Sequence, residues 1–400
     1  MGKRLIIDLV PCYPLVVRIA YITQTRFPTE RPHGYQVAQV CHAMAGLGHE
    51  VTLVTPTVGV VPEQNAFGFY GITESFRVVR LQQFDALNSV WIPGKLAFMV
   101  AMFSYRFALK KFFAGFKADV LYIRSEVLLP ALLPLRVPII LELHTLPRWR
   151  KRRFIRMANR CRLVVCLTRA MHEELLTWGL DSQRAVIEGD GVDLERFYNL
   201  PEQMLAKQDW ALPADRTVVG YVGSLVTRDT LEKGVGELID AVAILRKKGV
   251  QVFCWIVGGP SSWLGTYQRR AQERGLTAQD ICFQGAIPVR RVPSAIAACD
   301  ICVYPAPKTR HSYFLRDTSP LKLFEYLAAR RNIVCVDLPP IRDIVDETLV
   351  HFCAPGDAED LARAIEKAIQ EPLHNSERRA EVVHYHSWSQ RMGRILAEAV

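Results

Sequence analysis

Short, uninterrupted apolar runs alternate along the chain with longer stretches whose apolar positions recur at helical spacing. In the first half the runs are Arg18–Ile22, Glu50–Val54, Asp119–Ile123, Val137–Leu141 and Leu163–Leu167, with a helix predicted from about Tyr35 to Leu47. Apolar residues fill both alternating sets of positions in these runs, so each strand is expected to be covered on both faces. That pattern describes a parallel sheet sandwiched by helices. The stretch from Leu194 to Arg216, with Pro201 and Pro213, interrupts the rhythm and reads as a linker. The pattern then restarts with Thr217–Val222, a helix from Val235 to about Lys247, Val252–Val257, Ile281–Phe283, Ile301–Tyr304 and Ile333–Val336. The expectation is an α/β protein of two Rossmann-like, doubly wound domains, at 18–195 and 196–385, facing across a cleft. Residues 1–17 read as a loosely ordered extension, because Asp8, Pro11 and Pro14 break its apolar patches and no small-residue cleavage site marks a signal peptide.

Composition supports this picture. The chain has 400 residues, half of them hydrophobic and 22% charged, enough to build two large cores. Its ten cysteines are dispersed among apolar residues, which suggests reduced thiols and a cytoplasmic setting. Cys299 and Cys302 form a CxxC, but no second pair or zinc-spaced histidines accompany them, so core packing is expected. No apolar run reaches the ~18 residues needed to cross a bilayer.

The formal charge of +10 is uneven. From Lys95 to Arg160, fourteen basic residues face only Asp119, Glu126 and Glu142. Two segments, Pro147–Met157 and Lys110–Lys117, mix these cations with aromatic and aliphatic side chains. They predict peripheral contact with an anionic membrane, the alternative being core-packed helices with a basic outer face. No nucleic-acid reader module is present, so nucleic acid is not an expected partner.

The segment Asp317–Ala328 carries the most chemistry. Ser319 is a good helix N-cap and Pro320 a good first residue, with Leu321 following in the first turn. Free backbone N–H groups at such a tip suit a diphosphate. Glu325, one turn on, is placed to accept hydrogen bonds from a ribose, and Asp317 to touch a donor sugar. An ordinary capped helix is the plain alternative. Gly34 precedes a predicted helix, where a missing Cβ allows close backbone approach. His144 ends an apolar strand, a usual position for active-site groups. Gly223, Ser224 and Lys233 follow the first strand of the second half, and Gly258 and Ile287 follow two later strands.

At this point the chain resembles glycosyltransferase family 4, retaining enzymes of the GT-B fold. The likeness rests on the spacing of Asp317 and Glu325, on Ser319-Pro320-Leu321-Lys322-Leu323-Phe324-Glu325-Tyr326, and on Gly189–Phe197, Asp337–Arg342 and Pro355–Asp357. The resemblance implies transfer of a sugar from a nucleotide-diphosphate donor, held mainly by the second half, to a glycan or lipid-linked acceptor at the first. It implies that Gly34 faces the diphosphate, that His144 lies beside the donor sugar, and that Lys233 neutralises the leaving group. It further implies that Gly258 and Ile287 frame the base, that the last helix (386–400) crosses back, and that no cofactor or metal is required. The chain departs from the pattern at three places. Asp317 stands where Glu is usual, Ser224 where Arg is usual, and His33 where many relatives have a second glycine; Arg228 is the candidate substitute for the missing arginine. A GT-B epimerase or phosphorylase-like enzyme and a non-catalytic sugar-nucleotide-binding subunit are the alternative functions.

Overall fold

A computed structural model describes residues 16–29, 31–57, 65–84, 93–227 and 230–400. Most of the expected extension at 1–17, and Arg228 with it, lies outside the described residues.

The first sheet has seven parallel strands: β1 (Arg18–Ile22), β2 (Glu50–Pro56), β3 (Arg77–Leu81), β4 (Val120–Ile123), β5 (Ile139–Leu143), β6 (Leu163–Cys166) and β7 (Ala185–Ile187). Their order is β3-β2-β1-β4-β5-β6-β7. In the second half come β8 (Thr217–Val222), a short antiparallel pair β9 (Val226–Thr227) and β10 (Leu231–Glu232), then β11 (Val252–Val257), β12 (Ile281–Gly285), β13 (Ile301–Tyr304), β14 (Asn332–Val336) and β15 (His351–Cys353). Six of these build a second parallel sheet, β12-β11-β8-β13-β14-β15. In both sheets the chain reverses direction beside the first strand, between β1 and β4 and between β8 and β13. Open α/β sheets bind ligands beyond the carboxyl ends of the strands at that reversal. This is the GT-B architecture.

Period-two alternation divides the first sheet between two cores. Ile19, Tyr21, Tyr122, Ile140 and Val165 face helix Pro32–Gly46 and the C-terminal helix Trp388–Ala399. Ala20, Ile22, Leu121, Leu141 and Val164 face the opposite layer, with Met102, Tyr105 and Leu109 of helix Gly94–Gly115 and Phe154 and Ile155 of helix Lys151–Ala158. Trp388 bridges the halves: its backbone N–H donates to Val192 O, and Val192 N–H donates to His386 O.

The predicted linker is a structured part of the second half. Helical turns at Glu195–Tyr198 and Gln203–Asp209 bury Phe197 and Ala206 in the second core, and Trp210 packs on Trp255 at 5.2 Å. Its prolines end helices without unfolding the segment. The first helix also starts earlier than expected, at Pro32, a residue whose fixed φ suits a helix start. Cys299 and Cys302 are buried free thiols, and Cys299 Sγ donates to Ala295 O at 3.3 Å, so the CxxC is core packing.

Candidate active site

Two groups of polar residues stand at the carboxyl edges of the two sheets. The first is centred on Glu142 in β5. Glu142 and His144 are two residues apart on an extended chain, so their side chains leave the same face. Glu142 is 0% exposed, yet its carboxylate is well supplied with donors. Gln36 Nε2 donates at 2.6 Å, His144 Nε2 at 2.5 Å and Arg391 at 2.8 Å, and the Tyr122 hydroxyl donates as well. Burial works against its ionisation, but Arg391, His144 and Tyr122 outweigh it and hold the carboxyl well below its usual range. Arg391 comes from the C-terminal helix, is 0% exposed itself, and also donates to Gly189 O.

This network settles the state of His144. Arg124, just past β4, donates from its NH2 to Nδ1 at 2.9 Å, so that nitrogen accepts and the ring proton sits on Nε2, facing Glu142. Burial and Arg124 lower the pKa of His144, which favours the neutral ring. Arg124 NH1 also donates to His33 O at 3.2 Å and so ties the 31–34 turn to the histidine. Beside them, one carboxylate oxygen of Asp190 is buried without a hydrogen-bond partner, and burial raises its pKa. Glu142, His144 and Asp190 have ligand-type atoms within 4.8 Å of one another. The Glu142 carboxylate and both His144 nitrogens are already engaged, with two guanidiniums adjoining, so this donor set does not fit a cation.

The second group gathers at the head of helix Leu321–Ala328. The helix begins one residue later than expected, with Pro320 at the cap position. The capping role assigned to Ser319 does not hold: no side chain caps this helix, and the Ser319 hydroxyl instead accepts from Asp190 N–H at 2.6 Å, across to the first half. The tip therefore lies where the two halves meet. Its first turn has no acidic residue and carries Lys322 instead. Lys322 Nζ donates to the Tyr221 hydroxyl at 2.5 Å, which in turn donates to Ser224 O at 2.6 Å. The ammonium also lies 3.9 Å and 5.2 Å from the ring centroids of Tyr221 and Tyr304. Burial, and next the charge of Lys233, push the Lys322 pKa well below its usual value. Lys233 follows β10 and stands 5.6 Å from the Tyr313 ring. Glu325 favours the charged form of Lys322 but ion-pairs with Arg196, at 3.9 Å. Among the described residues neither lysine makes an ion pair.

The glycines have different causes. A Cβ on Gly258 would fall 1.8 Å from Gly223 O, so the ends of β8 and β11 can pass this closely only with glycine there. Gly223 N–H donates to Val257 O and Gly258 N–H to Gly285 O, which laces three strand ends into one floor. Gly34 sits in the first turn of its helix, and a Cβ would meet the Tyr70 hydroxyl at 2.2 Å and a Thr29 methyl at 2.5 Å. Packing by itself requires glycine at this position. The Ser224 hydroxyl donates to Val226 O at 2.5 Å and shapes its own turn. Ile287 packs half-buried against the second core.

Asp317 precedes helix Leu321–Ala328 and is held by its own neighbours. It is 5% exposed, its Oδ1 accepts from Arg316 Nε at 2.6 Å, and its Oδ2 accepts from Ser312 at 3.4 Å. Arg316 in turn bridges to Glu174 of the first half. Asp317 thus anchors the 313–317 turn, and both of its oxygens are engaged.

Glu142, Arg124, Arg391, Lys322 and Arg196 are site residues that motif reading left unassigned. Two of them leave a trace in the sequence. Glu142 is a charge inside an apolar strand, two residues before His144. Arg391 falls within the apolar stripe Trp388, Met392, Ile395, Leu396.

Residues 34–196 match the profile of Glycosyltransferase Family 4, and residues 216–371 that of the Glycosyl transferases group 1. The chain is a family 4-like glycosyltransferase. No curated protein sequence matches it. Among solved structures, sucrose-phosphate synthase from Thermosynechococcus elongatus is similar with a TM-score of 0.73 at 18% identity, over 95% of this chain and 98% of that one. Anabaena HepE, in complex with UDP and glucose, gives 0.69 at 17% identity, over 96% and 98%. WaaG, a glycosyltransferase involved in lipopolysaccharide biosynthesis, gives 0.62 at 16% identity, over 95% and 98%. These likenesses establish the GT-B fold of this glycosyltransferase.

Proposed function

We propose that the enzyme transfers a sugar, with retention of configuration, from a nucleotide diphosphate seated on its second half to a glycan or lipid-linked acceptor at its first. One observation carries this reading: two lysine ammoniums, neither ion-paired with a carboxylate among the described residues, converge on the positive end of a helix. A helix N-terminus already favours anions, and a buried lysine placed there is disfavoured twice, by desolvation and by the dipole. A bound diphosphate removes both penalties. HepE, bound to UDP and glucose, supports a nucleotide-sugar donor of this class.

In this reading the bond from the sugar C1 to the diphosphate oxygen breaks, and the acceptor oxygen bonds to C1. The acceptor proton leaves with the diphosphate. Lys233, Lys322 and the helix tip stabilise the charge that grows on the leaving group, so no metal ion or other cofactor is required. Glu325, flanked by Arg196, accepts from the ribose hydroxyls. The neutral His144 lines the donor sugar, held in place by Glu142 and Arg124. Asp317 acts by holding the 313–317 turn. The basic surface of the first half contacts an anionic membrane and brings the enzyme to its acceptor.

A thermal-shift screen against UDP, GDP, ADP and dTDP tests the donor site. We expect at least one to raise Tm in the wild type and to leave a Lys233→Ala/Lys322→Met double variant unchanged. The same shift in both proteins would remove the assignment. The anomeric configuration of the product, read by NMR, tests retention.

A further inference from the structure

The structure redistributes the apolar residues once expected to meet a membrane. In helix Lys151–Ala158, Phe154 and Ile155 are buried in the core, so this helix presents mainly cations outward. In the 110–117 segment, Phe112, Phe113 and Phe116 pack on one another, with Phe112 and Phe116 stacked at 4.7 Å. Exposed apolar side chains occur instead on helix Gly94–Gly115. Leu96, Met99, Phe103 and Phe107 follow one another at steps of three and four residues, which places them on one stripe. Phe103 is 76% exposed and Phe107 69%. The opposite side of the same helix, with Ala101, Met102, Tyr105 and Leu109, is buried.

We infer that this stripe is a membrane-docking face that sinks into an anionic lipid surface. The inference rests on the membrane-contact reading above and moves the apolar contact to a different helix. Large aromatic side chains in a row, open to water, mark an interaction surface. Charge selects the partner. The stripe runs on into exposed Lys110 and Lys111, and helix Gly94–Gly115 carries no acidic residue. The 151–158 helix packs on the same core layer, and Arg153 lies close enough to lower the pKa of Arg106, after burial. Arg153 therefore brings this basic segment, with exposed Arg148, Lys151, Arg152 and Trp149, to the helix that carries the stripe. A second copy docked through this face would set cations against cations, whereas anionic headgroups complement them. The helix lies along the surface: its inner side is committed to the core, and no helix among the described residues is long and apolar enough to cross a membrane.

Vesicle flotation of the full chain tests this. The wild type should float with phosphatidylcholine vesicles containing phosphatidylglycerol, not with phosphatidylcholine alone, and should be released by salt. Phe103→Ser/Phe107→Ser should lower the bound fraction about tenfold, as loss of two inserted side chains implies. Its Tm should stay the same, because both positions are exposed. Lys110→Glu/Lys111→Glu should weaken binding and flatten the salt dependence. The proposal is overturned if the wild type does not float or if the phenylalanine variant floats equally well. It is also overturned if light scattering shows a wild-type dimer that this variant dissolves. The donor screen separates the two readings: a wild type whose Tm responds to none of the four nucleoside diphosphates counts against the donor-site assignment and leaves a lipid-binding result standing.

Discussion

The two polar centres of this enzyme are opposites in charge balance. In the first half the central charge is balanced: Glu142 is met by Arg391, His144, Tyr122 and Gln36, although it is fully buried. In the second half Lys322 and Lys233 repel each other in a tyrosine-lined pocket, at a helix end that disfavours them. A satisfied network is rigid and holds what stands beside it, here His144. An unsatisfied one is poised for a ligand of opposite sign. The contrast separates positioning from binding within one site.

The largest expected effect comes from unbalancing the satisfied centre. Arg391→Met leaves Glu142 as an unpaired buried charge and should cost about 3–5 kcal/mol of stability, read by urea denaturation. If the loss is below about 1 kcal/mol, the network is not the anchor described here.

In the second centre, Lys233→Ala should lower kcat about 10²–10³-fold, the usual cost of one leaving-group donor, with Tm near the wild-type value. Lys322→Met sharpens the comparison, because its two effects have opposite signs. It should weaken nucleoside diphosphate binding and yet leave the free enzyme as stable or up to about 2 kcal/mol more stable, since a disfavoured buried cation is gone. The sign of the pH dependence follows. The folded pKa of Lys322 lies well below its ordinary 10.5, so between the two values the unfolded chain binds the extra proton. Stability of the free enzyme therefore rises with pH across that window, and Lys322→Met should flatten the rise.

The smallest effect is a proton. A diphosphate favours the charged form of Lys322 and raises its pKa, so binding should take up protons within the pH window below its ordinary 10.5, seen as a binding enthalpy that varies with the ionisation heat of the buffer. No uptake would mean that Lys322 is already charged or does not meet the ligand.

The architecture was legible in the chain itself, because a buried parallel strand must be apolar on both faces, and runs such as Val252–Val257 have few other uses. The run Ser319–Tyr326, together with the other motifs, pointed to the family for a related reason: a helix start depends on particular residues in a fixed local order. Local order could not say where those residues turn. Ser319 reads as a cap and serves Asp190 instead; nor does local order foretell that Arg316 holds Asp317 or that Gly34 makes room for Tyr70. Glu142 and Arg391 lie 249 residues apart, and the phenylalanines of 103–116 divide between an exposed stripe and a packed cluster. Periodicity reports which positions share a face. Only the folded chain decides what that face meets, because the partner arrives from a distant part of the sequence or from outside the molecule.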